Sequence, residues 1–459
     1  LVEMAALLRG PDWTARLGTP ARDLPPRQRT LENVIAWSYD LLDKEERAFF
    51  ARLGVLNGWF DLAAAAALAE VSQERALQLL NELAGHSLLL RETRPGGACW
   101  RMLEIIREYA ASRLPRRAQV EEARAGYFLA RMRDLRQKTS LAACEEDFQA
   151  NLQNYHAVLA WCAGAGRPDL GLQIAFELEG VWSSQGYFRE GLDFFRRLLD
   201  QPGEVAPAVR ANAMRAASDQ AWQQHDFETA LWFARQAVDL GQAYGLTQEN
   251  PHYLNRLGRI YIEQGDYPRA REAIGEALAL AWQPGSSLPP GRPLAQLGEI
   301  ALFEGDLDQA DALLSQAIDL LLPEDGVFYA IAATDLAEVM LARGDYPRAL
   351  GWLRAACPAA SGHIRRLIVF LGALAGCLVR SAAGSAASAA ALYGAIESLC
   401  EHSGVVLGEF YRRANREGMR LARQNLSARQ WAGAYEMGRA YNKAQAARRA
   451  ADLLDLPSG

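Results

Sequence analysis

Between Pro251 and Leu280 small and apolar residues return every three or four positions. Leu257, Gly258 and Tyr261 share one helical face, Ala270, Ile274 and Ala277 share another, and Gly265-Asp266-Tyr267 stands between them. The pattern predicts two antiparallel helices that approach closely over Gly and Ala while the tyrosines fill the gap beside them. The same grammar recurs with Leu297, Gly298, Ala301, Gly305, Leu307, Ala310, Leu314 and Ala317, then with Leu336, Ala337, Met340, Gly344, Tyr346, Ala349, Leu353 and Ala356. Weaker copies lie upstream, at Trp182, Phe188, Gly191 and Phe195 and at Ala217, Ser218, Ala221, Phe227, Ala230 and Ala237. Downstream, Ala389, Tyr393 and Ile396 fit only the second helix of a unit. The turn anchors fall at 186, 225, 265, 305 and 344, a step of 39 or 40 residues. A fixed period of that size predicts stacked helical pairs, because one pair cannot bury its apolar face alone.

This alternation of small and aromatic positions resembles the tetratricopeptide repeat, most strongly over residues 170 to 356. The period exceeds the usual length of about 34 residues, and Gln201-Pro202-Gly203 and the segment from Gln283 to Pro290 supply loops that lengthen it. The opposite side of each first helix is polar: Asn212, Arg215, Asp219 and Trp222, then His252, Asn255, Arg259 and Glu263, then Arg292 and Glu299. Spacings of three and four align each set into a stripe. Arg215, Asp219, Trp222, Asn255, Arg259 and Glu299 are therefore the candidate ligand-binding residues, on an expected concave wall. A merely solvated helix face would carry the same polarity.

Residues 30 to 115 follow other rules. Thr30 is placed to cap a helix with Leu31, Val34, Ile35, Trp37 and Leu41-Leu42; Asp43 caps a second, Glu45 to Leu53; Asp61 begins an alanine-rich third; Ser72 begins a fourth with Ala76, Leu79, Leu80 and Leu83. Ser87 to Leu90 and Cys99 to Met102 then read as two strands around Arg94-Pro95-Gly96-Gly97, and a helix from Leu103 to Leu114 closes the unit. Helices, hairpin and helix in that order predict a winged-helix domain. Its fourth helix carries Glu74 and Glu82 beside Arg75, a poor reader of a major groove, so the wing is expected to contact protein rather than DNA.

Composition narrows the function further. The 459 residues are half apolar and 23% charged with a net charge of −6, as in a folded protein without general affinity for phosphates. Six scattered cysteines without paired spacing predict thiols in a reducing, cytoplasmic compartment. The longest apolar run, Leu367 to Val379, is 13 residues, short of the ~20 that span a bilayer. It predicts a buried helix of the array and no membrane partner. No His-Glu-x-x-His, no Ser/His/Asp cluster and no phosphate loop of the form G-x-x-x-x-G-K-[ST] occurs, so neither catalysis nor a metal is expected.

The strings Thr30-Leu31…Ala36-Trp37-Ser38-Tyr39-Asp40-Leu41-Leu42, Leu83…Ser87-Leu88-Leu89 and Arg101-Met102-Leu103-Glu104…Arg107-Glu108-Tyr109-Ala110 resemble the winged-helix segment of bacterial STAND signalling ATPases. Asn151-Leu152…Ala157-Val158-Leu159-Ala160-Trp161 is similar to the helix that opens that family's arm. Leu392-Tyr393-Gly394-Ala395 and Phe410-Tyr411…Trp431…Gly438 are similar to the end of its sensor. The resemblance implies an all-α chain with one small winged helix: residues 1–29 a remnant of nucleotide-module helices, 30–116 the winged helix, 117–166 a helical arm and 167–459 a tetratricopeptide sensor. It implies a longer parent held by ADP and activated by ATP, frequently a transcriptional regulator, in which a small-molecule or protein inducer loosens the sensor's hold on the nucleotide module. Met102-Leu103-Glu104 occupies the place of the family's Met-His-Asp, whose His touches ADP; Leu103 has no donor for phosphate, so no cofactor is expected for this chain itself. The competing expectation is a constitutive scaffold that docks a peptide without switching.

Overall fold

The computed structural model describes residues 31–94, 97–321, 326–360, 364–381 and 385–454. The remnant expected over residues 1–29 and the cap at Thr30 lie outside the described residues. The chain divides into two compact units, Leu1–Gln185 with Asp193–Val209 and Gly186–Leu192 with Arg210–Gly459. The fold is all-α with one small sheet, a winged-helix domain followed by tetratricopeptide-like helical pairs.

In the first unit, α1 (Leu31–Asp40) and α2 (Lys44–Leu53) are separated by Asp43. Its carboxylate accepts from Glu46 N at 2.8 Å while Glu46 accepts from Asp43 N at 2.6 Å, a reciprocal cap that fixes where α2 starts. Strand β1 (Trp59–Asp61) runs directly into α3 (Leu62–Ala69), and α4 (Gln73–Gly85) starts at Ser72, which accepts from Arg75 N. The hairpin is β2 (Leu90–Arg94) and β3 (Gly97–Arg101), closed by α5 (Glu104–Ser112). Phe50, Leu53, Phe60, Leu79, Leu80, Leu83 and Trp100 fill the core.

Two details differ from the sequence reading. Ser87 to Leu89 are not strand: Ser87 takes a positive φ of 59° and Leu88 N reaches back to Leu83 O, so these residues end α4 and turn Leu88 and Leu89 into the core. The sheet also has three strands, not two, in the order β1-β3-β2, with Phe60 opposite Trp100 and Arg91 opposite Trp100 on the other side.

Helices α6 (Arg117–Lys138), α7 (Leu141–Ala150), α8 (Leu152–Gly164) and α9 (Pro168–Gln185) follow, then α10 (Phe188–Leu199). Buried Arg124 of α6 donates to Val55 O, to Asn57 Oδ1 at 3.0 Å and to Ala157 O at 3.3 Å, and pairs with Glu121 at 2.7 Å. Arg131 bridges Asp61 at 2.7 Å and Asp147 at 2.6 Å, and Tyr155 donates to the same Asp147. Asp61 thus ends β1, caps α3 and anchors α6 with one carboxylate.

The second unit is built from α11 (Pro207–Gln223), α12 (Phe227–Ala243), α13 (Leu246–Glu249), α14 (His252–Gln264), α15 (Tyr267–Ala281), α16 (Gly291–Glu304), α17 (Leu307–Leu320), α18 (Gly326–Arg343) and α19 (Tyr346–Ala360). After them come α20 (Ile364–Arg380), α21 (Ala386–Ser403), α22 (Glu409–Gln424), α23 (Ala428–Arg439) and α24 (Lys443–Leu453). The periodic anchors have one conformation. Gly186, His225, Gly265, Gly305 and Gly344 all take φ between 60° and 85°, the left-handed region that ends a helix. At the last four, the following Asp donates its N–H five residues back, to Ala221, Tyr261, Ala301 and Met340. Its carboxylate accepts from the N–H three residues on and starts the next helix. Two residues thus stop one helix and begin its partner.

The seam inside each pair is as small as the pattern requires. A Cβ on Gly298 would lie 2.6 Å from Leu314 Cγ, and one on Gly258 would overlap Ile274. Among the described residues no helix is long and apolar enough to cross a membrane.

Candidate functional site

The first helices of four successive pairs, α11, α14, α16 and α18, present their polar faces to one cavity of about 320 Å³. The same spacing that sends Gly258 and Ala217 to the seam turns Arg259 and Trp222 the other way. Helices α20 and α22 close the cavity with Arg365, Arg366, Val369 and Tyr411. All six candidate residues, Arg215, Asp219, Trp222, Asn255, Arg259 and Glu299, line it.

Charges on its wall are strongly organised. Arg215 and Arg256 both pair with buried Asp219. Arg259 pairs with Glu299 and, at 2.5 Å, with Glu263, which at the back of the wall also binds Arg365. Burial would raise the Glu263 carboxyl, but Arg259 and Arg365 together hold it below the ordinary range. Glu299 is raised by burial despite Arg259. Asp335, wholly buried beside Glu299, is pushed well above the carboxylate range and accepts from Tyr411 OH at 3.2 Å. Burial, helped by Arg215, lowers His252 to about 4, so its ring is neutral.

Two aromatic platforms complete the wall. Trp222 carries Arg256 at 5.4 Å and Arg365 at 5.7 Å from its ring. Phe328 carries Arg292 at 4.1 Å and Arg366 at 5.8 Å. Arg366 has no carboxylate within ion-pair distance among the described residues, and burial lowers its guanidinium to about 9. Asn255 Oδ1 and Gln296 Oε1 are buried with no hydrogen-bond partner among the described residues.

Residues 42–115 match the model of the winged helix-turn-helix domain, and residues 251–281 match that of the tetratricopeptide repeat. The chain carries both modules. A Mycobacterium bovis protein named as an HTH-type transcriptional regulator is 32% identical over 207 residues, covering 41% of this chain and 23% of its own length. A same-sized match to a Mycobacterium tuberculosis regulator has the same identity. The chain therefore spans about a quarter of the length of these curated relatives. Among solved structures, a signal transduction ATPase with numerous domains and a tetratricopeptide repeat sensor from Pyrococcus horikoshii aligns at 12% identity with a TM-score of 0.49, over 91% of this chain and 65% of that one.

Of the other polar positions in the stripes, His252 and Arg292 also line the cavity. Asn212 does not: its Oδ1 accepts from Asn250 and from Tyr253 OH at 2.8 Å. Arg256, Phe328, Asp335, Arg365, Arg366 and Tyr411 were missed. Arg256 stands four residues after His252 and three before Arg259, a spacing the pattern already contained. Of the nucleotide-proximal triplet, Met102 is buried, Leu103 is exposed at the start of α5, and Glu104 pairs with Arg107 at 2.5 Å. On the wing, Arg94 and Arg101 lie over the Trp59 ring at 4.2 and 4.9 Å.

Proposed function

We propose that this chain is the winged-helix and sensor portion of a STAND-type signal-transducing regulator, most plainly one of transcription, and that the repeat cavity receives its inducer. The cavity carries the reading: four repeat helices and two later ones converge on a space that suits a compact ligand. Closure by α20 and α22 argues for a bounded molecule and against a peptide lying along an open groove, the constitutive-scaffold alternative. An inducer acts only if it prefers one arrangement of these helices over another. In the parent protein that preference would relieve autoinhibition of an ADP- or ATP-binding module, the intramolecular partner.

The test is a reporter response in the full-length protein. Trp222→Ala removes an aromatic wall without unpairing a charge, and is expected to abolish induction while the protein stays folded. An unchanged dose–response would place the site elsewhere. Arg259 is a poorer probe, because its loss strands Glu299 and leaves Glu263 to Arg365 alone.

Two corollaries follow. Without a phosphate loop the chain by itself is expected to turn over no ATP, and sustained turnover surviving a contaminant control overturns this. With Glu74 and Glu82 exposed on α4 and Arg94 and Arg101 stacked on Trp59, sequence-specific DNA binding is not expected at physiological salt. Specific retardation of a duplex at sub-micromolar protein contradicts it.

A further inference from the structure

Resting on the reading of the cavity as a ligand site, we propose that its ligand is a small oxyanion, a carboxylate or phosphate ester joined to a flat apolar body. Six guanidiniums line the cavity against the three carboxylates Asp219, Glu299 and Asp335. Asp335 makes no ion pair among the described residues, accepting instead from Tyr411 OH, and burial beside Glu299 disfavours its charged form. Asp219, Glu299 and Glu263 are consumed by Arg215, Arg256, Arg259 and Arg365.

Arg366 is left over. It sits on the wall beside Phe328, in the same cavity as Arg292, and no carboxylate among the described residues reaches it. A half-buried guanidinium with no carboxylate at ion-pair distance is costly unless a ligand supplies one. Its planar fork matches the paired oxygens of a carboxylate or phosphate. Phe328 and Trp222 supply the aromatic part of the lining against which an apolar ring would pack. The space is of a size for one ring system and its acidic group.

Phenyl phosphate and benzoate, with benzyl alcohol and benzamide as neutral counterparts, test this by calorimetric titration and thermal shift of the intact chain at low ionic strength. At least one anionic probe is expected to bind about tenfold or more tightly than its neutral counterpart, as a charge-assisted contact in a desolvated site allows. Arg366→Met should erase that preference, and Trp222→Ala should weaken anionic and neutral probes alike. Without ligand, Arg366→Met should leave the unfolding temperature unchanged or raise it. A fall of several degrees would make Arg366 a structural strut and overturn the proposal. Equal binding of neutral and anionic probes, or a preference that survives Arg366→Met, also overturns it while leaving the cavity a ligand site. Should no probe of either kind shift the protein, both readings fail. The relative affinity of benzoate and phenyl phosphate distinguishes the two acidic groups.

Discussion

Arg124 is buried and Arg366 half-buried, and burial lowers the guanidinium of each. Their surroundings differ. Arg124, in the first unit, has Glu121, two backbone carbonyls and the Asn57 amide oxygen around it. Arg366, in the second, has an aromatic ring, neighbouring arginines and open space. A buried charge with all its partners supplied by the chain is architecture; one with a partner missing beside a cavity is an unfilled requirement. The two environments are therefore expected to answer mutation in opposite ways.

The largest effect tests that contrast directly. Arg124→Met leaves buried Glu121 with only the exposed Arg117 beside it, strips its carbonyl partners of their donor and is expected to cost about 3–5 kcal/mol, read by urea denaturation of the whole chain. Arg366→Met is expected to cost nothing. Equal losses would dissolve the distinction.

Glu338, on α18 behind the cavity wall, sharpens it. Burial pushes its carboxyl up to about 7 from an ordinary 4.5. Between those values the folded chain keeps a proton that the unfolded chain has released, so stability falls as pH rises across the window and levels off above about 7. Glu338→Gln should remove this slope and add about 3 kcal/mol at pH 8. An unaltered pH profile would show that its carboxylate is accommodated after all.

The apolar seam provides the reference for ordinary packing. Gly298→Ala forces a Cβ against Leu314 and the backbone of α17 and is expected to cost about 1–3 kcal/mol. No loss would mean that the seam yields easily.

The seam was also the most legible part of the sequence. Gly-Asp turns announce themselves because a left-handed residue followed by a capping carboxylate is local chemistry, readable within six residues. The six candidate wall residues were legible for a related reason, since helical spacing fixes which side chains share a face. Arg365, Arg366 and Tyr411 were not. They reach the cavity through helices far along the chain, with Arg365 meeting Glu263 across 102 positions, and no periodicity encodes that meeting. Asp335 lies next to seam residue Leu336 and reads as a solvated position until α22 covers it. Strand β1 is three residues long, too short for alternation, and exists because β3 pairs with it.

The smallest expected effect concerns the one anchor that is not glycine. His225 holds a φ of 60° that a Cβ disfavours. His225→Gly is expected to stabilise the array by about 0.5–1 kcal/mol, measured as a raised unfolding temperature. A loss would mean that the imidazole's edge-on contact with Phe227 outweighs the strain.

Those turns also set an order of events during synthesis. Each closes a helical hairpin from neighbouring residues, so pairs can fold as they leave the ribosome without waiting for distant sequence. The cavity cannot. Its far wall comes from α20 and α22, so a nascent chain ending at Ala360 would possess folded repeats and no enclosed pocket. Translation itself therefore delays completion of the cavity until α20 and α22 arrive, and a ligand of the kind proposed would meet no such pocket on a half-made protein.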